Sequence, residues 1–462
     1  MKATRNILRA LVLAAVLPAG LLDGVRAADD TDAEIRALRD QIRLLDQRLH
    51  ELEERQQRKE QEAAAAAQAA PKVSLTDKGF TLASGDGANS ISFRGLVQFD
   101  WRQFFDDGTG VARNTFVLRR VQPILQGTIG RITSFQFSSE FGGTGSPSIL
   151  DANLGIGLSP AVQFKFGRFK VPVGLEQLAS DSWAFFDERS LVTNLVPNRD
   201  LGAQVGGALA GGTVTYAAGI FNGVADGGSS TNADFDNDRA AAARVFLLPF
   251  KRAAGSPLQG LGAGIAASLG RQKTAAALTG GYRTDGQQTF FRYRSTVVAD
   301  GQAWRVSPQA EYRRGPFGAI GEYAVSTVNV RPTATGAKAE LTNRAWQLAA
   351  GYVLTGEDSS ATGVVPAHPF NWENGTWGAW EVAARWANLK VDDRAFPLFA
   401  DPTANAGEAT ALGLGLSWYL NRTVRATFDY YQTRFAVPAV PPAAPADRPD
   451  EQVLITRVQV SF

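Results

Sequence analysis

The 462-residue chain contains no cysteine and a single methionine. The first absence removes disulfides, thiolate metal sites and thiol nucleophiles together. Histidine is nearly missing too, with two in the chain. His50 lies in a charged, helix-patterned stretch and His368 in "PAHPFN". A hydrolase would need a nucleophile and base that these positions do not offer, so no enzyme, cofactor or metal is expected. Net charge is scarce as well: 47 Lys and Arg against 45 Asp and Glu leave +2. That balance does not mark a nucleic-acid binder. Beyond the N-terminus, no run approaches the ~18–20 apolar residues of a membrane-crossing helix.

What is present points to strands. Glycine is abundant (47 residues), and 44% of the chain is hydrophobic against 20% charged, which fits many strands and turns better than a helical core. The start, "MKATRNILRALVLAAVLPAGLLDGVRA", has basic residues, an apolar run and a small-residue box at Val25-Arg26-Ala27. It reads as a secretory signal over 1–27. An exported chain without a second apolar helix is periplasmic, secreted or an outer-membrane barrel.

Residues 28–62 carry a different period. Ile35, Leu38, Ile42, Leu45, Leu49 and Leu52 recur at spacings of three and four, the a/d seam of a coiled coil. Glu34 with Arg39, and Arg48 with Glu53, occupy the flanking g and e positions, which face each other between parallel copies. About three heptads are marginal alone, so this coil is expected to assist an oligomer formed elsewhere. An Ala-rich stretch ended by Pro71 follows and reads as a helix tail and linker over 63–89.

From Ser90 to Phe462 short alternating runs recur. In "ISFRGLVQFDWRQ" Ile91, Phe93, Val97, Phe99 and Trp101 share one face, opposite Arg94, Gln98, Asp100 and Arg102. In "TVRATFDYYQT" Val424, Ala426, Phe428 and Tyr430 oppose Arg425, Thr427, Asp429 and Tyr431. Many runs reach about ten residues, the length of a tilted strand across a bilayer. Tight links such as "TIGRIT", "GLSPA" and "RRGPFG" alternate with long ones such as the stretch 271–302, as in a barrel with short turns on one side and loops on the other. The count is about sixteen antiparallel strands. One link, "GEDSSATGVVPAHPFNWENGT", falls on the short-turn side; either that turn is elaborated or the count is off by two. The last strand, "VLITRVQVSF", alternates to its terminal Phe462, placing an aromatic residue at the barrel rim toward lipid. The fold expected is therefore an all-β transmembrane barrel over 90–462, preceded by the helix.

Several stretches together resemble the phosphate-selective porin O and P family. These are "FVLRRVQPILQG" (116–127), the block 149–207 with its "GRFK" and "ERS" runs, "YVLTGE" (352–357), "GAWEVAARWANL" (378–389), "GLSWYLN" (415–421) and "TRVQVSF" (456–462). The resemblance implies a sixteen-stranded, trimeric outer-membrane porin whose third long loop folds into the pore. A last strand ending in Phe462 also resembles the signal read by the barrel-assembly machinery.

A channel needs a width and a field along a water path. Rings of basic residues favour anions, because a low-dielectric wall focuses their charge on the ion. Arg94, Arg102, Arg305, Arg313, Arg385, Arg425 and Arg457 fall on the wet parity, with Lys165 and Arg244 as additions. Acids share those faces, so cross-strand ion pairing is the alternative role for each. Neighbours on a strand point opposite ways, so one of Arg119 and Arg120 should face the lumen, and the family motif favours Arg120. The expected constriction loop carries Lys170, Arg189 and Arg199 against Glu176, Asp181, Asp187, Glu188 and Asp200. Phosphate-selective members place lysines here; this chain has Gln177 and Ser182 at what look like those positions. The expectation is a passive channel for small anions, phosphate or polyphosphate among them. A weakly selective channel, or a barrel-anchored tether of the outer membrane working through its coil, are the other readings.

Overall fold

The computed structural model describes residues 27–462 except 78, 107–111, 144, 183, 232–233, 235, 274–277, 279, 334–335 and 439–447. The expected signal over 1–27 lies outside the described residues, apart from Ala27. Two units are distinguished, 1–70 and 71–462. The first contains one helix, α1 (Ala27–Ala69), of 43 residues. It runs on through the Ala-rich stretch read as a linker. Its a/d seam is bare: Ile35, Leu38, Ile42, Leu45, Leu49 and Leu52 are all exposed. No helix among the described residues is long and apolar enough to cross a membrane.

The second unit opens with a hairpin, β1 (Lys72–Thr76) and β2 (Gly79–Ala83). The barrel wall then begins with β3 (Ser90–Asp106), β4 (Thr115–Ile129), β5 (Thr133–Glu140) and β6 (Ser148–Ser159). It continues through β7 (Val162–Lys170), β8 (Arg199–Leu209), β9 (Val214–Phe221), β10 (Ala240–Leu247) and β11 (Leu261–Lys273). A small separate hairpin, β12 (Gly281–Arg283) with β13 (Thr289–Arg292), interrupts the wall. The remaining wall strands are β14 (Val297–Arg314), β15 (Phe317–Pro332), β16 (Ala339–Val353), β17 (Ala379–Lys390), β18 (Glu408–Tyr419), β19 (Val424–Ala436) and β20 (Glu451–Ser461).

Sixteen antiparallel wall strands close on themselves through β20 and β3. Closure matters because an open edge would leave backbone donors and acceptors unpaired in hydrocarbon. Phe462 completes it: its N–H donates to the Gly95 carbonyl at 3.0 Å, and the Gly95 N–H donates back at 2.8 Å. The Phe462 ring lies over Gly95, where a Cβ would come within 2.6 Å of it. β2 pairs with the start of β3, so ordered β structure begins within the expected linker.

The period of two decides which side chains face in. On β3, Leu96, Gln98, Asp100 and Arg102 are buried while Ile91, Phe93, Val97, Phe99 and Trp101 are exposed on the outer face. The outer rim of the turn side carries Trp380 stacked on Trp418 at 5.2 Å, as an aromatic interface belt requires. The doubtful link is resolved in favour of an elaborated turn: 354–378 joins β16 to β17 on the short-turn side, and the strand count stands. Part of that turn tucks inward, burying Val364 against Val353, Ala379 and Tyr419.

Candidate functional site: a loop clamped to one wall and an open lumen on the other

The loop 171–198 leaves β7 and returns to β8 through the barrel interior. Its descent begins with apolar residues. Val171, Val173, Leu191, Val192, Leu195 and Val196 are buried together with Phe221 and aromatic residues of the β12–β13 hairpin. Polar anchors then fasten it to the wall formed by β3, β4 and β14 to β20. The Glu322 carboxylate accepts from the backbone N–H groups of Leu175 and Glu176, at 2.8 and 3.1 Å. Glu176 in turn accepts from Ser190 N–H (2.9 Å), Ser190 hydroxyl (2.8 Å) and Gln347 (3.0 Å).

Glu188 is the hub of this clamp. Its carboxylate accepts from Arg119 (2.6 and 2.9 Å), Arg102 (3.0 Å) and Arg457 (3.1 Å). Burial pushes this carboxyl up, yet Arg119, Arg457 and Arg102 hold it well below its ordinary value. Asp100 adds a second bridge, accepting from Arg457 at 2.6 and 2.8 Å and from Arg102 at 3.0 Å. Asp187 donates its backbone N–H to Asp429 at 2.6 Å and accepts from the Thr427 hydroxyl. Asp181 pairs with Arg189 at 2.7 Å and Arg120 at 3.3 Å; although burial opposes it, Arg120 and Arg189 hold this carboxyl low.

Arg119 and Arg120 both reach the loop, contrary to the alternation expected of strand neighbours. The reason is a β-bulge. Gln98 pairs with Arg120 but Phe99 pairs with Leu118, so Arg119 is an extra residue without a partner position. A bulge re-aims a side chain locally, and here it sends both guanidinium groups inward.

The other wall arginines divide by partner. Arg385 donates to Asp285 (2.5 Å) and to the Glu188 carbonyl (2.9 Å), with its guanidinium 4.4 Å from the Phe186 ring. Arg425 donates to the carbonyls of Ala184 (2.8 Å) and Phe185 (3.4 Å). Arg305 pairs with Asp226 at 2.7 Å. Arg313 donates to Ser359 at 3.0 Å and lies 4.9 Å from the Phe185 ring. Arg94 is half-buried on the inner face and has no ion pair among the described residues. Arg102, Arg120, Arg305, Arg385, Arg425 and Arg457 are therefore buried in ion pairs or bonded to loop carbonyls. Arg189 faces its own loop, donating also to the Glu176 and Ala179 carbonyls (3.2 and 3.1 Å).

Across the barrel the inner face is built from small residues. Gly155, Gly206, Ala217 and Gly219 alternate with outward side chains, which leaves room beside them in that half of the lumen. A cavity of about 440 Å³ remains between the inner faces of β3 to β10 and one edge of the loop. Lys165, Lys170, Arg199 and Arg244 line it, with Asp151, Asp181 and Ser182. Arg199 and Asp151 neutralise each other at 3.2 Å, and Asp181 is engaged as described. Lys165, Lys170 and Arg244 have no ion pair among the described residues. Lys170 donates to the Ala179 carbonyl at 2.7 Å, and Arg244 to Gln309 at 2.9 Å. Gln177 is buried away from this cavity, bonded to Asn198 at 2.6 Å.

The sequence did not indicate that further loops also fold inward. Tyr282, Phe290, Phe291 and Tyr293 of the stretch 271–302, read as a polar loop, are buried against the constriction loop and against Phe396, Phe399 and Ala400. Asp226 accepts from Tyr282 (2.9 Å), Ser326 (2.7 Å) and Arg305. Four aromatic residues in twelve positions were the available signal.

Residues 91–462 match the profile described as "Phosphate-selective porin O and P". Porin O of Pseudomonas aeruginosa is 26% identical over 399 residues, covering 78% of this chain and 87% of that protein. Among solved structures, the outer membrane channel DcaP of Acinetobacter baumannii aligns with a TM-score of 0.51 at 12% identity, over 82% of this chain and 98% of its own. Outer-membrane-expressed OmpT of Vibrio cholerae aligns with a TM-score of 0.50 at 12% identity, over 81% and 98%. These two likenesses concern the fold.

Proposed function

Because this chain belongs to the phosphate-selective porin O and P family, and is thereby a channel of the Gram-negative outer membrane, we propose that it conducts small anions along one side of its lumen. The observation that carries this reading is the division of cations. Arg305, Arg385, Arg425 and Arg457 on the β14–β20 side are taken up by loop acids and carbonyls, whereas Lys165, Lys170 and Arg244 line the cavity with no ion pair among the described residues. A charge is felt by a permeating ion when it is not already neutralised nearby, so these cations, together with Arg94, set a mild anion preference. The buried arginines serve instead to hold the inward-folded loops. Phosphate has no dedicated cradle in this reading, since Gln177 and Ser182 stand where selective members carry lysines. No covalent chemistry is assigned to the barrel.

Reversal potentials in a potassium chloride gradient test the proposal. The unmodified channel should give the sign of chloride preference, and Lys165→Gln with Lys170→Gln should move it toward zero. A cation-selective sign in the unmodified channel would overturn it.

The oligomer is proposed to be a trimer, on the family resemblance, with the seam of α1 assisting from the periplasm over 28–62. The exposed leucines and isoleucines of that seam, with complementary g and e charges, support self-association. A tether role for the same coil predicts loss of envelope integrity with conductance intact when 32–59 are deleted. Phe462 is proposed as the feature read during barrel assembly.

A further inference from the structure

We propose that the open side of the lumen is suited to small organic anions with an apolar body, such as aromatic carboxylates, in preference to inorganic phosphate. This rests on the anion-channel reading above and names its solute class. The ground is the mixture of groups that line the cavity. Beside the unpaired Lys165 and Lys170, the lining contains Phe169, Leu96, Ile124, Pro172 and Leu178. Phe169, Leu96 and Pro172 are themselves buried, but Ile124 on the wall and Leu178 on the loop are half-exposed, so apolar surface is offered from both sides. Cation and apolar surface are adjacent: the Lys165 ammonium lies 5.4 Å from the centre of the Phe169 ring.

The two solute classes meet this lining differently. Phosphate must replace lost water on every face with donors, and apolar carbon offers none; desolvating an ion without replacement donors is costly. An organic carboxylate presents its charge to the lysines and its body to Ile124 and Leu178. Its hydration on the apolar side is weak to begin with, so release of that water favours binding. The loop does not alter this balance. Its acid in the lining, Asp181, is committed to Arg189 and Arg120, and Ser180 and Ser182 supply neutral hydroxyls.

Block of single-channel chloride current by benzoate, acetate and phosphate at equal ionic strength tests the inference on the full-length protein in planar bilayers. Benzoate should half-block at a concentration lower than acetate by about tenfold, the effect of taking about 55 Å² of apolar surface out of water. Leu178→Ser should bring that ratio below about threefold, and Ile124→Ser, on the opposite wall, should act in the same direction. Equal block by benzoate and acetate in a channel with chloride preference would overturn the solute class and leave the anion-channel reading standing. Phosphate blocking more strongly than benzoate would overturn it in favour of the family's phosphate role. A cation-selective reversal potential would remove the reading on which it rests.

Discussion

Glu188→Gln is the sharpest perturbation of the loop clamp. The side chain keeps its shape and loses its charge, so three guanidinium groups are left with too little counter-charge. Arg119 loses a bidentate partner at 2.6 and 2.9 Å, and Arg102 and Arg457 lose one at 3.0 and 3.1 Å. Removing one member of a buried ion pair costs about 3–5 kcal/mol. Asp100 still bridges Arg102 and Arg457, which favours the lower end, about 3 kcal/mol. The midpoint of the heat-induced mobility shift of detergent-folded barrel should fall by several degrees. Selectivity should move as well. A unit charge about 10 Å from the path, at an effective dielectric near 40, is worth about 0.8 kcal/mol, so chloride permeability should rise about fourfold. The pH dependence has a defined sign. A carboxyl held below its ordinary 4.5 contributes stability that is present above that value and lost only as pH falls through the lowered one. The parent clamp should thus persist well below pH 4.5, and the variant should lack this acid-dependent component. An unchanged midpoint together with an unchanged reversal potential would show that Glu188 does not hold the loop, and would refute the reasoning.

Four further outcomes follow from the same geometry. Ser182→Lys, which adds a cation at the cavity edge, should strengthen phosphate block of chloride current, whereas Gln177→Lys should cost about 2 kcal/mol or more of stability, read as a lower melting midpoint, because it buries a charge beside Asn198. Asp285 is pushed up to about 6 by burial, against the pull of Arg385; a raised carboxyl loses stabilisation as pH rises from about 4 to 6, so Asp285→Asn should flatten the fall in melting midpoint over that window. Deleting Phe462 removes two backbone hydrogen bonds and the ring over Gly95, and should reduce folded barrel in membranes while export continues, as read by fractionation. Leu45→Asp with Leu49→Asp should weaken cross-linked oligomer while leaving the mobility shift of the barrel intact.

Much of this protein is local and therefore legible in its sequence. Side-chain direction along a strand repeats every two residues, so Gln98, Asp100 and Arg102 could be assigned inward, and Val97, Phe99 and Trp101 outward, before any pairing was known. Chain length between turns then gave the number of strands. Where backbone regularity breaks, that inference breaks too: the bulge at Arg119 depends on β3 as a partner and leaves no mark in "LRR" itself. Which cations are free was decided only by the tertiary structure. Arg102, Arg385 and Arg457 look alike in the alternating pattern, as do Lys165 and Arg244. They differ because Glu188 and Asp285 arrive from loops distant in the chain, and an ion pair is set by distance in space. The inward fold of 280–296 is of the same kind, since its aromatic residues are buried only once the constriction loop and 391–407 are there to cover them. Inside and outside were fixed by a period of two; neutral and charged were fixed by contacts the chain makes only when the barrel has closed.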